Sequence, residues 1–286
     1  MRSYPALTLT WTRPADADAT DILLARLDGH AATAIEDVAD GIRVFFSTTE
    51  ARDAALDQVR DLPNLTCASS EVSDENWAAR SQASIGAVTV GKVTIAPPWS
   101  VTPEMRAQSP HLVVIQPSMG FGTAHHASTR LCLSWLQTMP LDGAAVLDVG
   151  TGSGVLAIAA RQLGAARAVG IDVDPDALTN ARENVALNDV TGVDLHERDL
   201  SAAGAALGRR FDVILANLTG GLLCRDAGMF HALAAAGAHL IISGFQTHET
   251  AQVIGAFQDA GWTMKGQREE ESWVGMLLQR TITMKQ

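Results

Sequence analysis

The chain has few cysteines, no long apolar run and fewer basic than acidic residues, and each shortage excludes something. Its three cysteines, Cys67, Cys132 and Cys224, lie far apart in no metal-type spacing. A disulfide-stapled secreted domain is therefore a poor fit, and a reduced cytoplasm is the expected compartment. No apolar stretch approaches the roughly 20 residues needed to cross a bilayer, so no membrane association is expected. The opening MRSYPALTLTW lacks the apolar core of a signal peptide. Lys and Arg number 21 against 32 Asp and Glu, a net charge of −11. Such a balance repels phosphate backbones, so direct nucleic-acid binding is not expected.

What is present is an ordinary globular composition, 47% hydrophobic and 19% charged, with 24 Gly and 10 Pro. The length of 286 residues suggests two domains at about 150 residues each. The acid excess is uneven. Residues 1–80 hold 7 basic and 14 acidic side chains, the remainder 14 and 18. Asp16, Asp18 and Asp21 in that first stretch equally suit a helix N-terminus.

Periodicity divides the chain at 1–80, 81–115 and 116–286. In the first part, strand-like alternation at Tyr4–Trp11 is followed by helical spacing over Thr20–Leu27. Two strands then meet at the Asp40-Gly41 turn, followed by a helix at Glu50–Val59 and a strand at Leu65–Val72. The order βαββαβ predicts a small ferredoxin-like α+β domain. It carries no cluster of catalytic residue types, which suits recognition. Residues 81–115 read as a connector with some strand content. From Ala144 onward strands and helices alternate, predicting a doubly wound, mostly parallel α/β sheet. Two closing strands, Thr263–Arg268 and Trp273–Arg280, are too close for a crossover helix and should pair antiparallel.

The main chemical motif is Asp148-Val-Gly150-Thr-Gly152-Ser-Gly154, between a buried strand and a helix. Glycines there let backbone approach a ligand. The spacing is G-x-G-x-G, and Asp148 would repel a pyrophosphate. A ligand bearing an ammonium and a sulfonium would be attracted, which favours S-adenosylmethionine over NAD. Asp172 in Gly-Ile-Asp-Val-Asp174-Pro ends the next strand, where a carboxylate can accept two ribose hydroxyls. Asp174, directly before Pro175, better suits a helix cap. Asp199 ends a third strand and fits either an adenine amino group or a turn. Asn217 closes Phe211–Leu218, where its carbonyl can orient an amine nucleophile or cap a turn before Gly220-Gly221.

Upstream lies Gly120-Phe-Gly-Thr-Ala-His125-His126-Ala-Ser128-Thr129, two glycines around an aromatic and then hydroxyls at a helix start. The adjacent histidines have no third ligand at suitable spacing, so a metal is not expected.

Together these motifs resemble the bacterial ribosomal protein L11 methyltransferases. Four of them recur in order: Phe121-Gly-Thr-x-x-His126-x-Ser-Thr129, Asp148–Gly154, Gly170-Ile-Asp172-x-Asp-Pro175 and Ala216-Asn217-Leu218. Asp74-Glu-Asn-Trp77, Val90-Gly91, Pro98-Trp99 and Glu270–Trp273 extend the likeness. Protein-lysine methyltransferases of electron-transfer flavoprotein are relatives of that family.

The resemblance implies a seven-stranded class I methyltransferase domain. It implies that Thr129, Gly150, Asp172 and Asn217 contact S-adenosylmethionine; the residue pattern itself adds Asp148, Gly152 and Asp199 to the cofactor set. Asn217 is the catalytic candidate. It further implies an N-terminal domain that grips a basic large-subunit ribosomal protein. Ala124 stands where the family has Gly, and Ala127-Ser128 where it has Pro-Thr. Methyl transfer would be in line, to a lysine or terminal amine that arrives neutral, with His126 the candidate base.

The alternatives are an electron-transfer-flavoprotein-type enzyme, a small-molecule or nucleic-acid methyltransferase, and a non-catalytic cofactor-binding module. Asn217-Leu-Thr-Gly differs from the Asn-Pro-Pro-aromatic run of base-amine methyltransferases. A monomer is the default expectation.

Overall fold

The computed structural model describes residues 3–13, 23, 26–27, 32–38, 41–73, 86–117, 126–208 and 210–281. Asp16, Asp18, Asp21, Asp40, Asp74–Trp77 and the run from Gly120 to His125 lie outside those residues. The chain forms two compact units, 1–85 and 86–286.

In the first unit β1 (Ser3–Trp11), β2 (Ala32–Val38), β3 (Gly41–Phe46) and β4 (Leu65–Ser73) form an antiparallel sheet in the order β2-β3-β1-β4. Helix α1 (Thr49–Val59) starts where the Thr48 hydroxyl accepts from the Ala51 N–H. The chain is also helical at Leu23, Arg26 and Leu27. That is a ferredoxin-like order of elements. Alternation in β1 and β3 sends Leu7, Leu9, Val44 and Phe46 to one face, where Leu23, Leu27, Ala55 and Val59 close the core.

The second unit opens with β5 (Val88–Val90), β6 (Val93–Ala96) and β7 (His111–Val114), a three-stranded sheet joined through the short α2 (Pro103–Gln108). Residues 86–115, read from the sequence as connector, thus fold as part of this unit. Gly91, at φ +56°, sits in the turn that separates β5 from β6.

Helix α3 (Ala127–Leu136) leads into the main sheet. Its elements are β8 (Ala145–Val149), α4 (Val155–Gln162), β9 (Arg167–Asp172), α5 (Pro175–Leu187), β10 (Val193–Glu197) and α6 (Leu200–Leu207). They continue with β11 (Phe211–Asn217), α7 (Gly220–Leu233), β12 (Ala234–Gln246), α8 (Thr250–Asp259), β13 (Trp262–Glu270) and β14 (Trp273–Arg280). The sheet order is β10-β9-β8-β11-β12-β14-β13, with β14 antiparallel to both neighbours. This is the Rossmann-like class I methyltransferase fold.

Strand alternation separates two cores. Ile214 and Ala216 join Leu223, Phe230 and Phe257 of α7 and α8 on one face. Val213 and Leu215 join Leu133, Leu136, Val155 and Ile158 of α3 and α4 on the other. The chain runs outward from β8 to β10 and then returns to β11. The carboxyl ends of β8 and β11 therefore flank a topological switch point, where such sheets bind ligands.

Two boundaries differ from the sequence pattern. Gly220-Gly221, read as a turn, occupies the first turn of α7. The alanine run Ala234–Ala236, which by composition suits a helix, belongs to β12, which Ala234 enters by pairing with Phe211. Sheet pairing outweighs alanine's helix preference there.

Candidate functional site

β8 ends in the glycine loop, and the loop's shape follows from its residues. Gly150, Gly152 and Gly154 have φ of +68°, +52° and +79°, which side chains other than glycine's disfavour. A Cβ on Gly150 would stand 2.5 Å from Leu218 Cδ2. The Gly150 and Thr151 N–H groups both donate to the Ile171 carbonyl, at 2.9 and 3.0 Å. The Gly152 N–H donates to Asp172 Oδ2 at 2.9 Å, and the Asp174 N–H to Asp172 Oδ1 at 3.1 Å. Asp172, the last residue of β9, thus orients the loop while half-buried beside it. Asp174 caps α5 by accepting from the Asp176 N–H.

Asp148 is enclosed. Its Oδ2 accepts from the Thr151 hydroxyl at 2.7 Å and from the Ala157 N–H, in the first turn of α4, at 3.2 Å. Burial pushes its pKa up to about 7, with those two bonds opposing and the Asp172 charge adding to the rise. The sequence pattern offered Asp148 as a counter-charge for a cationic ligand. In the fold its hydrogen bonds fasten the loop to the helix.

From the other side of the switch point, the Asn217 amide at the end of β11 donates to Thr129 Oγ1 at 3.2 Å. The sequence separates this pair by 88 positions. Thr129 lies buried in the first turn of α3. That turn is held by the β13–β14 hairpin. Arg130 Nε donates to Glu270 Oε1 at 2.6 Å, and Trp135 Nε1 to the Gly275 carbonyl at 3.0 Å. The His126 ring meets Trp273 edge-on at 4.3 Å.

His126 caps α3 by accepting the Ser128 N–H at Nδ1. Burial and the nearby Arg130 lower its pKa, while Glu271 opposes them. Nδ1 also lies 2.7 Å from Ser128 Oγ, so the cap engages that ring nitrogen.

Asp199 is the N-cap of α6, a helix absent from the sequence reading. Its Oδ1 accepts from the Ser201 hydroxyl at 2.5 Å and the Ser201 N–H at 2.8 Å. These bonds hold its pKa below the ordinary value.

The switch point thus gathers Gly150, Gly152, Asp172, Asn217 and Thr129, with Asp148 buried beside the loop; Asp199, expected to end the third strand, lies two residues past the end of β10 as a helix cap. The sequence reading passed over Asn184 and the Arg130–Glu270 pair. The spacing of Asn180, Asn184 and Asn188 was a legible signal for the former. Among the described residues no three His, Cys, Asp or Glu side chains converge as metal ligands. No helix among them is long and apolar enough to cross a membrane.

A family model described as ribosomal protein L11 methyltransferase (PrmA) matches residues 16–281. A protein named ribosomal protein L11 methyltransferase from Geobacter sulfurreducens is 42% identical over 204 residues, covering 71% of this chain. That match spans 65% of the Geobacter protein's length. One of the same name from Deinococcus radiodurans is 35% identical over 260 residues, covering 89% of this chain and 91% of its own. The crystal structure of a ribosomal protein L11 methylase from Lactobacillus delbrueckii subsp. bulgaricus superposes with a TM-score of 0.62 at 26% identity. It covers 69% of this chain and 100% of its own.

Proposed function

The chain belongs to the ribosomal protein L11 methyltransferase family, and from that premise we propose that it transfers methyl groups from S-adenosylmethionine to lysine or N-terminal amines of large-subunit ribosomal protein L11. The observation that carries this reading is the meeting of the glycine loop, the Asp172 carboxylate and the Asn217–Thr129 pair at one switch point.

The residues fit the cofactor. The left-handed glycines let backbone approach closely, and a Cβ on Gly150 would intrude. Each Asp172 oxygen accepts one backbone N–H and keeps a further lone pair for a ribose hydroxyl. Asp199 retains Oδ2 for an adenine amino group. Thr129 and Asn217 supply a hydroxyl and an amide on the side where the amine arrives.

When bound, S-adenosylmethionine supplies a methyl group already activated by its sulfonium. The chain's task is alignment. Asn217 Nδ2 is held by Thr129, which leaves Oδ1 to accept from the incoming amine and point its lone pair. A lysine amine, ordinarily protonated up to about pH 10.4, loses its proton to solvent as it is desolvated on entry.

The first 80 residues recognise the protein substrate. Their 14 acids against 7 bases complement a basic ribosomal protein, through an attraction that salt screens. Such a substrate implies that the enzyme acts in the cytoplasm.

The test supplies labelled methyl donor and this enzyme to an extract lacking its own activity. Label on a single small ribosomal protein is expected. Label in RNA with none in protein overturns the proposal.

A further inference from the structure

Helix α5 carries Asn180 and Asn184, and Asn188 is its C-cap, the three spaced four residues apart and hence on one face. That face lies against β7, an edge strand whose only strand neighbour among the described residues is β6. The free backbone groups of an edge need partners, and the asparagines provide them. Asn188 grips Val114 at both ends, its Oδ1 accepting the N–H and its Nδ2 donating to the carbonyl, each at 2.7 Å. Two residues on, Asn184 Oδ1 accepts the Gln116 N–H at 2.8 Å, and Asn180 Nδ2 donates to the Gln116 carbonyl at 3.3 Å. The three amides do for residues 114–116 what a neighbouring strand would do.

Asn184 also reaches further. Its Nδ2 donates to the Ser153 carbonyl, inside the glycine loop, at 2.9 Å, and to Asn180 Oδ1 at 3.3 Å. The residue is wholly buried, so each of those bonds is protected from water. One amide therefore joins the glycine loop to the backbone just ahead of the motif that ends in Thr129. Among the loop's other anchors, the Ile171 carbonyl, Asp172 and Asp148 come from β8 and β9. Asn184 holds it from α5. That helix lies close there: a Cβ on Gly154 would stand 3.3 Å from Ala181 Cβ.

We propose that Asn184 is a positioning residue for the methyl donor, fixing the carbonyl side of the glycine loop in its binding shape. The inference rests on the reading of Gly150–Gly154 as the donor's loop. A loop that must be ordered at the moment of binding subtracts that ordering from affinity. Asn188 is the internal control, on the same face with comparably short bonds that go to Val114 and to the Asn184 carbonyl.

Asn184→Asp keeps an acceptor for the Gln116 N–H but turns an oxygen, in place of a donor, toward the Ser153 carbonyl. Asn184→Ala removes all three side-chain bonds without adding charge and serves if the aspartate variant fails to fold. The full chain is titrated calorimetrically with S-adenosylmethionine, and thermal unfolding is followed in parallel.

The Asn184 variants are expected to bind the donor about tenfold more weakly, as the loss of a buried hydrogen bond implies. Asn188→Ala is expected to lower the thermal midpoint comparably while holding donor affinity within about twofold. Equal changes in affinity for Asn184→Ala and Asn188→Ala, or no change in either, overturn the inference. Absence of binding by the unaltered protein overturns the reading of the loop and, with it, the role of Asn184.

Discussion

Asp148→Asn tests the electrostatics beneath the glycine loop. The carboxyl ionises near pH 7 in the fold, against 3.8 in its ordinary state. At about 1.4 kcal/mol per pH unit, its ionisation costs the fold about 4 kcal/mol in all. The sign follows from which state releases its proton first. Below pH 3.8 both states are protonated and nothing is lost. Between 3.8 and about 7 the unfolded chain has ionised and the folded one has not, so stability falls as pH rises. Above that both are ionised and the loss is complete.

From pH 5 to pH 8 this one group should remove about 3 kcal/mol. Asparagine keeps an oxygen for the Thr151 hydroxyl and the Ala157 N–H, and it does not ionise. Its extra buried N–H groups cost about 1–3 kcal/mol at every pH. The variant should therefore be about as stable as the parent, or slightly less so, at pH 5 and more stable than it by about 1–3 kcal/mol at pH 8. Urea unfolding without added ligand, at half-unit pH steps, reads the difference. Curves that stay parallel from pH 5 to pH 8 would refute the assignment of this titration to Asp148.

Three further outcomes are expected. Asp172→Ala removes the Gly152 anchor and the ribose acceptor together, and calorimetry should show S-adenosylmethionine binding weakened about a hundredfold, or roughly 3 kcal/mol; unchanged affinity would sink the site. Gly275→Ala places a Cβ 2.7 Å from Leu131 Cβ, and overpacking of about 1–3 kcal/mol should lower the thermal midpoint; an unchanged midpoint would mean that α3 does not sit tightly on the hairpin. The KM for the ribosomal protein should rise with added salt while the KM for the methyl donor holds; a salt-insensitive protein KM would make the acidic balance of residues 1–80 incidental.

The parts of the fold legible in the sequence were those with a single dominant local signal. β8, β9 and β11 are apolar runs ended by polar residues, and their parallel pairing followed from the helices between them. The pattern of residues 1–80 likewise supplied both the element order and the alternation that buries Leu7 and Leu9. Helix α6 was missed because Leu200–Leu207 is nearly all apolar or small, with Gly204 in its interior, so no polar face marks its period. The N-terminus of α7 was missed because paired glycines are a turn signal in isolation.

For the site, the glycine loop and Asp172 declare themselves locally, whereas the Asn217–Thr129 contact spans 88 positions and emerges only from the sheet order. Asp148 shows the limit of charge reasoning. The sequence gives the carboxylate's place at a strand end but says nothing of the 1% exposure that commits it to Thr151 and Ala157.

The central claim is that the switch-point site methylates amines of ribosomal protein L11. Mass spectrometry of purified, unmethylated L11, incubated with the enzyme and S-adenosylmethionine, addresses it most directly. The account predicts mass increments of whole methyl groups confined to lysine side chains or the N-terminal amine, abolished by Asp172→Ala. L11 of unchanged mass, with donor turnover detected only on RNA or a small molecule, would contradict it.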